Sequence, residues 1–366
     1  MADPERVLRI GWISPRFHKG VLTTFFAAPL ERLDHAQLQH FLYSCNAIDD
    51  SATLRFHHAA DLWRDVQGLN DAALCAQIRD DKIDVLVELS GHAPCNRLRM
   101  LAMRPAPVQV SWMDYFHSTG LDAIDFLISD RVLTPPESQG HYSERVLYLA
   151  SGRLCYEPLS AAPAIIAGGS GRIRFACFNR PAKINDKVLA AWARLLAALP
   201  DSLVRLKAGA FDDADTRASF RARAARHGIP THQLELQGFA SYADVMACYA
   251  DIDIALDPFP FSGCATSCDA LWMGVPVVTL MGETMVSRQS ASLLTALDLD
   301  DLIVTDVDRY VACAVELAKD KARRLSLREQ LRPLMLTRLC DADRHAAELG
   351  AVLRQAWRSW CLEEFT

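Results

Sequence analysis

A run of small residues precedes a predicted helix in the segment FSGCATSCDALWMG, residues 261–274. The first N–H groups of a helix, together with the positive end of its dipole, bind anions such as phosphate. Asp269, early in that helix, could hydrogen-bond a sugar hydroxyl beside the phosphate. The alternative is a helix start capped by Thr266 or Ser267, with no ligand. The small loop residues that let a backbone approach a diphosphate are Gly263, Cys264, Ala265 and Thr266.

Two other predicted strands are followed by basic residues. In FACFNRPAKIND (175–186), Asn179 comes directly after the strand and Lys183 lies four residues further on. A lysine in such a loop can neutralise a diphosphate leaving group, and the alternative is a solvated surface side chain. In MGETMVSRQSASLL, Ser287 and Arg288 open a helix. Arg288 could bind an anion through its planar guanidinium, or simply pack at the helix start.

Two histidines follow predicted strands in the first half of the chain. His92 comes after the buried run VELSG, and His18 lies in the first strand–helix loop, SPRFHKG. A histidine at such a position can act as a general base near neutral pH. The alternative for either ring is a structural role, satisfied by a backbone carbonyl.

Apolar runs that alternate with amphipathic helices must position these side chains. This alternation predicts an α/β protein with two Rossmann-like, doubly wound domains. Ligands of open α/β sheets bind at the carboxyl ends of the strands, so a cleft shared by the two domains is the expected site. Predicted helices include 23–33, 71–81, 96–105 and 186–200. The predicted organisation is an N-terminal domain (1–155), a Gly- and Pro-containing linker (156–172), a nucleotide-sugar-binding domain (173–340) and a C-terminal helix (341–366) that packs back toward the N-terminal domain.

Composition argues against several functional classes. The chain has 366 residues, 51% hydrophobic and 23% charged, which is typical of a soluble enzyme. A net charge of -6 argues against a nucleic-acid partner, and no apolar run reaches the roughly 18–20 residues of a membrane span. Of the eleven cysteines, only Cys264 and Cys268 form a close pair, without a nearby histidine. We therefore expect no metal site and a reduced, cytoplasmic protein.

Several of these segments resemble, in the same order, the catalytic region of protein O-GlcNAc transferases and SPINDLY-like glycosyltransferases. The resemblance extends from about Leu8 to Trp360 and includes VELSGHAPCNRLRMLAMRPAPVQ, FACFNRPAKIND and DIALDPFPFSGCATSCDALWMGVPVVTL. It implies a GT-B architecture, with two Rossmann-like domains facing across a cleft. It also implies an inverting transfer, without metal or cofactor, from a UDP-sugar to Ser or Thr hydroxyls of a protein acceptor. GlcNAc is the sugar that the resemblance favours.

The same resemblance implies roles for individual residues. Lys183 would contact the diphosphate, the loop at 263–266 would hold it, and Asp269 would bond the ribose. His92 would line the reaction centre. His18 stays the other candidate base from the residues alone, because it lies two residues before the position of the family's histidine. Further residues expected at the nucleotide-sugar site are Asn179, Ser287 and Arg288.

The sequence also departs from the family pattern. Gly20 stands where members usually carry a histidine, and Ala265 replaces the first of two adjacent threonines. These departures leave open a different GT-B enzyme (another sugar, a small-molecule or Asn acceptor, or an epimerase) and a non-catalytic nucleotide-sugar-binding relative. Tetratricopeptide repeats usually precede the catalytic region. Either this chain is a catalytic fragment, or the cleft alone selects the acceptor.

Overall fold

The computed structural model describes residues 3–158, 162–165 and 171–363. The chain divides into two compact units, of which the first combines Met1–Glu157 with Cys340–Thr366 and the second comprises Pro158–Leu339. Within the predicted linker, residues 159–161 and 166–170 lie outside the described residues. In the described ranges, no helix combines the length and the apolarity needed to cross a membrane.

Each unit contains a parallel β-sheet. Hydrogen bonds join the strands of the first unit in the order β3-β2-β1-β4-β5-β6-β7 and those of the second in the order β10-β9-β8-β11-β12-β13. The strands of the first unit are β1 (Leu8–Ser14), β2 (Leu38–Ser44), β3 (Leu62–Asp65), β4 (Val85–Glu88), β5 (Val108–Ser111), β6 (Phe126–Ser129) and β7 (Arg145–Tyr148). Those of the second are β8 (Arg174–Cys177), β9 (Leu203–Lys207), β10 (Leu234–Gln237), β11 (Ile254–Leu256), β12 (Val277–Leu280) and β13 (Ile303–Val304).

Helices connect the strands. In the first unit they are α1 (Val21–Phe25), α2 (Ala27–Arg32), α3 (Ser51–His58), α4 (Asp71–Asp80) and α5 (Leu98–Leu101). The second unit has α6 (Asp186–Ala198), α7 (Ala214–Arg226), α8 (Tyr242–Ala247), α9 (Ala265–Trp272), α10 (Gln289–Ala296), α11 (Val307–Lys319) and α12 (Lys321–Arg338). The last helix, α13 (Ala342–Glu363), belongs to the first unit.

Both strand orders reverse direction once. In the first unit the reversal lies between β1 and β4, and in the second between β8 and β11. At such a switch point the loops that leave the two strands diverge, and the crevice between them is where ligands bind in open α/β sheets. The prediction of two doubly wound α/β domains is confirmed. The loops after β1, β4, β8 and β11 border the switch points, where a ligand site is expected.

Two predicted helices are wrong in their extent. The segment 23–33 forms two short helices, α1 and α2, and Pro29 lies in the first turn of α2, where its missing N–H costs nothing. In 96–105 only α5 is helical. The Asn96 side chain accepts the N–H of Leu98 and forms a turn before the helix, and Arg104 has φ 50°, which no right-handed helix allows.

The helix α13 completes the core of the first unit. It packs against α2 and β5, and it buries apolar side chains along one face, among them Leu349, Leu353 and Trp357. The indole Nε1 of Trp357 also donates to the carbonyl of Asp3 at 3.2 Å. The first unit is therefore discontinuous in sequence, with its last element arriving after the whole second unit.

A buried histidine lies in the core of the first unit. The Nδ1 atom of His40, on β2, accepts a hydrogen bond from Trp12 Nε1 at 3.1 Å. Burial lowers the pKa of His40 to about 3, helped by the neighbouring His35 and opposed by Asp61. The ring is therefore neutral in the folded protein throughout the physiological range.

We predict that this neutral ring makes the protein acid-sensitive. Unfolded His40 has a pKa near 6.5, so below pH 6.5 the unfolded chain binds a proton that the folded chain does not. The free energy of unfolding should then fall by up to about 1.4 kcal/mol per pH unit. His40→Asn keeps an acceptor for Trp12 and removes the titration. Urea unfolding at pH 7 and pH 5 should show a smaller pH effect in His40→Asn than in the wild type. Equal pH effects in the two proteins would contradict the prediction.

Candidate active site

The helix α9 begins without a side-chain cap. Its N-cap residue is Cys264, whose side chain makes no capping hydrogen bond, so the expectation that Thr266 or Ser267 caps the helix is wrong. The Cys264 carbonyl accepts the N–H groups of Ser267 and Cys268, each at 3.0 Å. Among the described residues, the N–H groups of Ala265 and Thr266 have no acceptor. Two backbone donors at the positive end of the helix are thus open to an anion.

A buried carboxylate fixes the loop before α9. One oxygen of Asp257, at the end of β11, accepts the N–H of Gly263 at 2.6 Å, and the other accepts the Thr279 hydroxyl at 2.6 Å. Burial raises the pKa of Asp257, and these hydrogen bonds oppose the rise. A Cβ atom at Gly263 would lie 2.3 Å from Ser267 Oγ and 2.9 Å from Asp257 Oδ1. Only glycine fits this position, because a side chain would collide with Ser267 and Asp257.

The lysine after β8 contacts this loop. Lys183 Nζ donates to Asn179 Oδ1 at 3.1 Å and to the carbonyl of Ser262 at 2.8 Å. It also lies 4.1 Å from the centre of the Phe261 ring. Burial lowers the pKa of Lys183, while the charge of Asp257 acts to raise it. The ammonium is therefore held mainly by neutral oxygens and a ring face, which leaves its charge available to a ligand.

The amide of Asn179 links the two strand-end loops. Besides the contact with Lys183, Asn179 Oδ1 accepts a hydrogen bond from the Thr266 hydroxyl, with 3.1 Å between the two oxygens. The structure therefore brings together Asn179, Lys183 and Thr266, which the sequence analysis proposed separately. They lie on the two sides of the switch point between β8 and β11.

The carboxylate of Asp269 has a partner that the sequence analysis missed. Tyr242 Oη donates to Asp269 Oδ1 at 2.7 Å. A second tyrosine, Tyr249, donates to the carbonyl of Thr266 at 3.3 Å. Tyr242 opens the helix after β10 directly behind its N-cap, Ser241, and a hydroxyl-bearing side chain at that point of the chain was the available signal.

The loop that carries Ser287 is joined to the loop before α9. Both the N–H and the hydroxyl of Ser262 donate to the carbonyl of Val286, at 3.2 and 2.8 Å. Ser287 is buried, and its hydroxyl donates to the carbonyl of Thr284 at 2.7 Å within its own loop. Arg288 is the N-cap of α10 and is half-buried. Ser287 thus stabilises the loop before α10 from inside, whereas Arg288 lies at the end of that loop.

In the first unit, His92 lies on the loop after β4. Its Nε2 atom is 2.8 Å from the carbonyl of Thr119, and because a carbonyl only accepts, Nε2 carries the proton. The neutral ring therefore has its lone pair on Nδ1. The residue is exposed, so Nδ1 can accept a proton from a ligand.

A second buried carboxylate supports that loop. Glu88, at the end of β4, accepts the N–H of Ser90 at 2.6 Å and that of Gly91 at 2.7 Å. Burial raises the pKa of Glu88 to about 7, opposed by these N–H groups. Gly91 has φ 49°, and a Cβ atom there would lie 2.3 Å from Tyr115 Cβ. Glu88 was not predicted, although a charged residue inside the apolar run VLVEL was a visible signal.

His18 lies on the loop after β1, the strand paired with β4. It is half-buried, and its Nδ1 atom donates to the carbonyl of Lys19 at 3.1 Å. Its neighbour Arg16 forms an ion pair with Asp114 at 2.5 Å. Both candidate bases therefore follow the switch-point strands of the first unit. In the described ranges, no cluster of three or more His, Cys, Asp or Glu side chains could hold a metal ion.

Comparison with known proteins identifies relatives over most of the chain. The model of glycosyl transferase family 41 matches residues 1–155 and 169–348. A Petunia hybrida protein named "Probable UDP-N-acetylglucosamine--peptide N-acetylglucosaminyltransferase SPINDLY" is 36% identical over 98% of this chain. The match covers 40% of that relative, so this chain spans well under half the length of the curated relatives that it resembles.

Solved structures support the same grouping. A mutant of the Thermobaculum terrenum O-GlcNAc transferase superimposes with a TM-score of 0.94 at 38% identity, over 99% of this chain and 70% of that one. The Anabaena protein HepE, solved with UDP and glucose, has a TM-score of 0.55 at 12% identity over 95% of this chain and 100% of that one, which indicates a shared fold. The GT-B architecture predicted from the sequence is confirmed. The chain belongs to glycosyl transferase family 41.

Proposed function

We propose that this chain is an inverting glycosyltransferase that moves GlcNAc from UDP-GlcNAc to Ser or Thr hydroxyls of a protein. Its relatives carry names of that activity. The observation that carries the proposal is the meeting of an ammonium, Lys183, with the uncapped start of α9. An ammonium with open backbone N–H groups is an arrangement suited to a diphosphate.

The second unit supplies the donor site in this proposal. The open N–H groups of Ala265 and Thr266, with Lys183, receive the diphosphate, and Asp269 accepts a ribose hydroxyl while Tyr242 orients it. When the bond between the anomeric carbon and the diphosphate oxygen breaks, negative charge grows on that oxygen. Groups already aimed at this charge stabilise the transition state without reorganising. No metal ion is required for this step.

The first unit supplies the base. The acceptor hydroxyl attacks the anomeric carbon and loses its proton, and His92 Nδ1 accepts that proton. We assign this role to His92, whose tautomer the Thr119 carbonyl fixes with the lone pair on Nδ1. The Lys19 carbonyl fixes His18 in a similar way, so His18 is the other candidate. A single displacement of this kind inverts the anomeric configuration.

We predict that Lys183→Ala lowers kcat by about 10² to 10³, since it removes a charge that stabilises the leaving diphosphate. The matched control is Lys187→Ala, which removes an exposed lysine four residues away. Transfer from UDP-GlcNAc to a panel of Ser- and Thr-containing proteins and peptides measures the effect, with thermal unfolding against UDP, GDP and TDP run in parallel. UDP at 100 times its Kd should add about 2.7 kcal/mol to the free energy of unfolding.

The outcomes separate the alternatives. Stabilisation by a different nucleotide would assign a different donor. Nucleotide binding without transfer to any acceptor would indicate a non-catalytic relative. If no nucleotide stabilises the protein, the donor site is wrong.

We predict that His92→Gln lowers kcat by about 10² to 10⁴, the range for loss of a general base. Glutamine keeps a donor for the Thr119 carbonyl and removes the Nδ1 lone pair, so the loop should stay in place. His18→Asn, which keeps a donor near the Lys19 carbonyl, is the matched variant. Rates of transfer across pH 5.5–8.5 would be measured for both. A larger loss in His18→Asn than in His92→Gln would move the base role to His18.

A further inference from the structure

A cavity of about 90 Å³ lies at the edge of the second sheet opposite the proposed donor site. Arg172 precedes β8 and Asp253 precedes β11, so the cavity borders the amino ends of strands whose carboxyl ends carry the donor loops. Its volume equals that occupied by about three molecules of liquid water. This is room for a small polyatomic ion.

The described residues that line this cavity carry four cations and one carboxylate. The cations are Arg172, Lys321, Arg324 and Arg328, and the carboxylate is Asp253. Asp253 is already engaged, because Oδ1 lies 3.5 Å from Arg324 Nε and Oδ2 accepts the N–H of Arg174 at 2.9 Å. In the part of the chain that the structure describes, Lys321 has no ion-pair partner.

Backbone carbonyls, rather than carboxylates, orient two of the guanidinium groups. Arg172 donates to the carbonyl of Asp201 at 2.6 Å and to that of Ser202 at 3.3 Å. Arg328 donates to the carbonyl of Ile252 and is only 6% exposed. A carbonyl fixes a guanidinium without neutralising it, so the positive charge stays in a place with little access to water.

A second carboxylate near the cavity, Asp251, is paired with an arginine outside it. Asp251 is bound by the guanidinium of Arg205 at 2.6 and 3.1 Å. Burial lowers the pKa of Arg328, opposed by Asp253 and then Asp251.

We propose that this basic cavity binds a small tetrahedral oxyanion, either inorganic phosphate or the phosphoryl group of a small metabolite. The charges of Arg324 and Arg328 attract the oxygens of a phosphoryl group, although several of their N–H groups already donate to backbone carbonyls. Lys321 adds a mobile ammonium at the rim that can donate to those oxygens. A bound oxyanion would join the chain before β8 to the first turns of α12. This inference does not depend on the proposed transferase activity, since none of these residues takes part in it.

Calorimetric titration with sodium phosphate, against sodium chloride at equal ionic strength, tests the proposal. The full chain carrying Lys183→Ala is the background, which weakens anion binding at the proposed donor loop. Into it we would introduce Lys321→Gln, and as the matched control Lys319→Gln, which removes an exposed lysine two residues away. Leu325→Glu adds a negative charge at the rim, where Leu325 is 39% exposed and its replacement should not disturb the core.

We expect Lys321→Gln to weaken phosphate binding at least fivefold, Leu325→Glu to abolish it, and Lys319→Gln to change it less than twofold. A phosphomonoester such as glycerol 3-phosphate that binds tenfold tighter than inorganic phosphate would identify a metabolite as the ligand, and equal binding would identify the free ion. No binding in the Lys183→Ala background, or equal losses in Lys321→Gln and Lys319→Gln, would overturn the proposal. These outcomes are independent of whether UDP binds.

Discussion

The carboxylate of Asp257 lies at the end of a buried strand, and the loop that precedes α9 takes its course from it. A buried carboxylate is costly unless it receives hydrogen bonds, and here the N–H of Gly263 and the hydroxyl of Thr279 provide them. This requirement draws the backbone inward at Gly263, where no side chain fits. The helix that follows begins at Ala265, and no side chain caps its first N–H groups.

The first unit uses the same arrangement at the equivalent strand. Glu88 is the last residue of β4, and Asp257 directly follows β11. Each of these strands is the fourth of its unit along the chain. Each carboxylate accepts the N–H of a glycine that close packing requires, Gly91 in one unit and Gly263 in the other. In both units the next candidate residues, His92 and Thr266, therefore follow a loop that is held by a buried carboxyl group.

Much of this fold could be read from the sequence, because apolar runs mark buried parallel strands and the carboxyl ends of such strands meet at one edge. The candidate residues Asn179, Lys183 and Thr266 were found in that way. Glu88, Asp257 and Tyr242 were not found. A charge inside an apolar run and a hydroxyl at a helix start were visible signals, but they do not indicate which loop group each side chain bonds. The start of α9 was misplaced for a related reason: serine and threonine favour N-cap positions, but the pull of Asp257 on Gly263 outweighs that preference.

The position of α13 has a consequence for how the protein is made. Domains generally fold as units while the chain leaves the ribosome, the N-terminal part first. The second unit is continuous in sequence and is complete when Leu339 has emerged. The first unit begins earlier, but its α2 and β5 lack their contacts with α13 until that last helix is synthesised. The order of completion is thus reversed, and the apolar surfaces of α2 and β5 that α13 covers are the part of the first unit that is buried last.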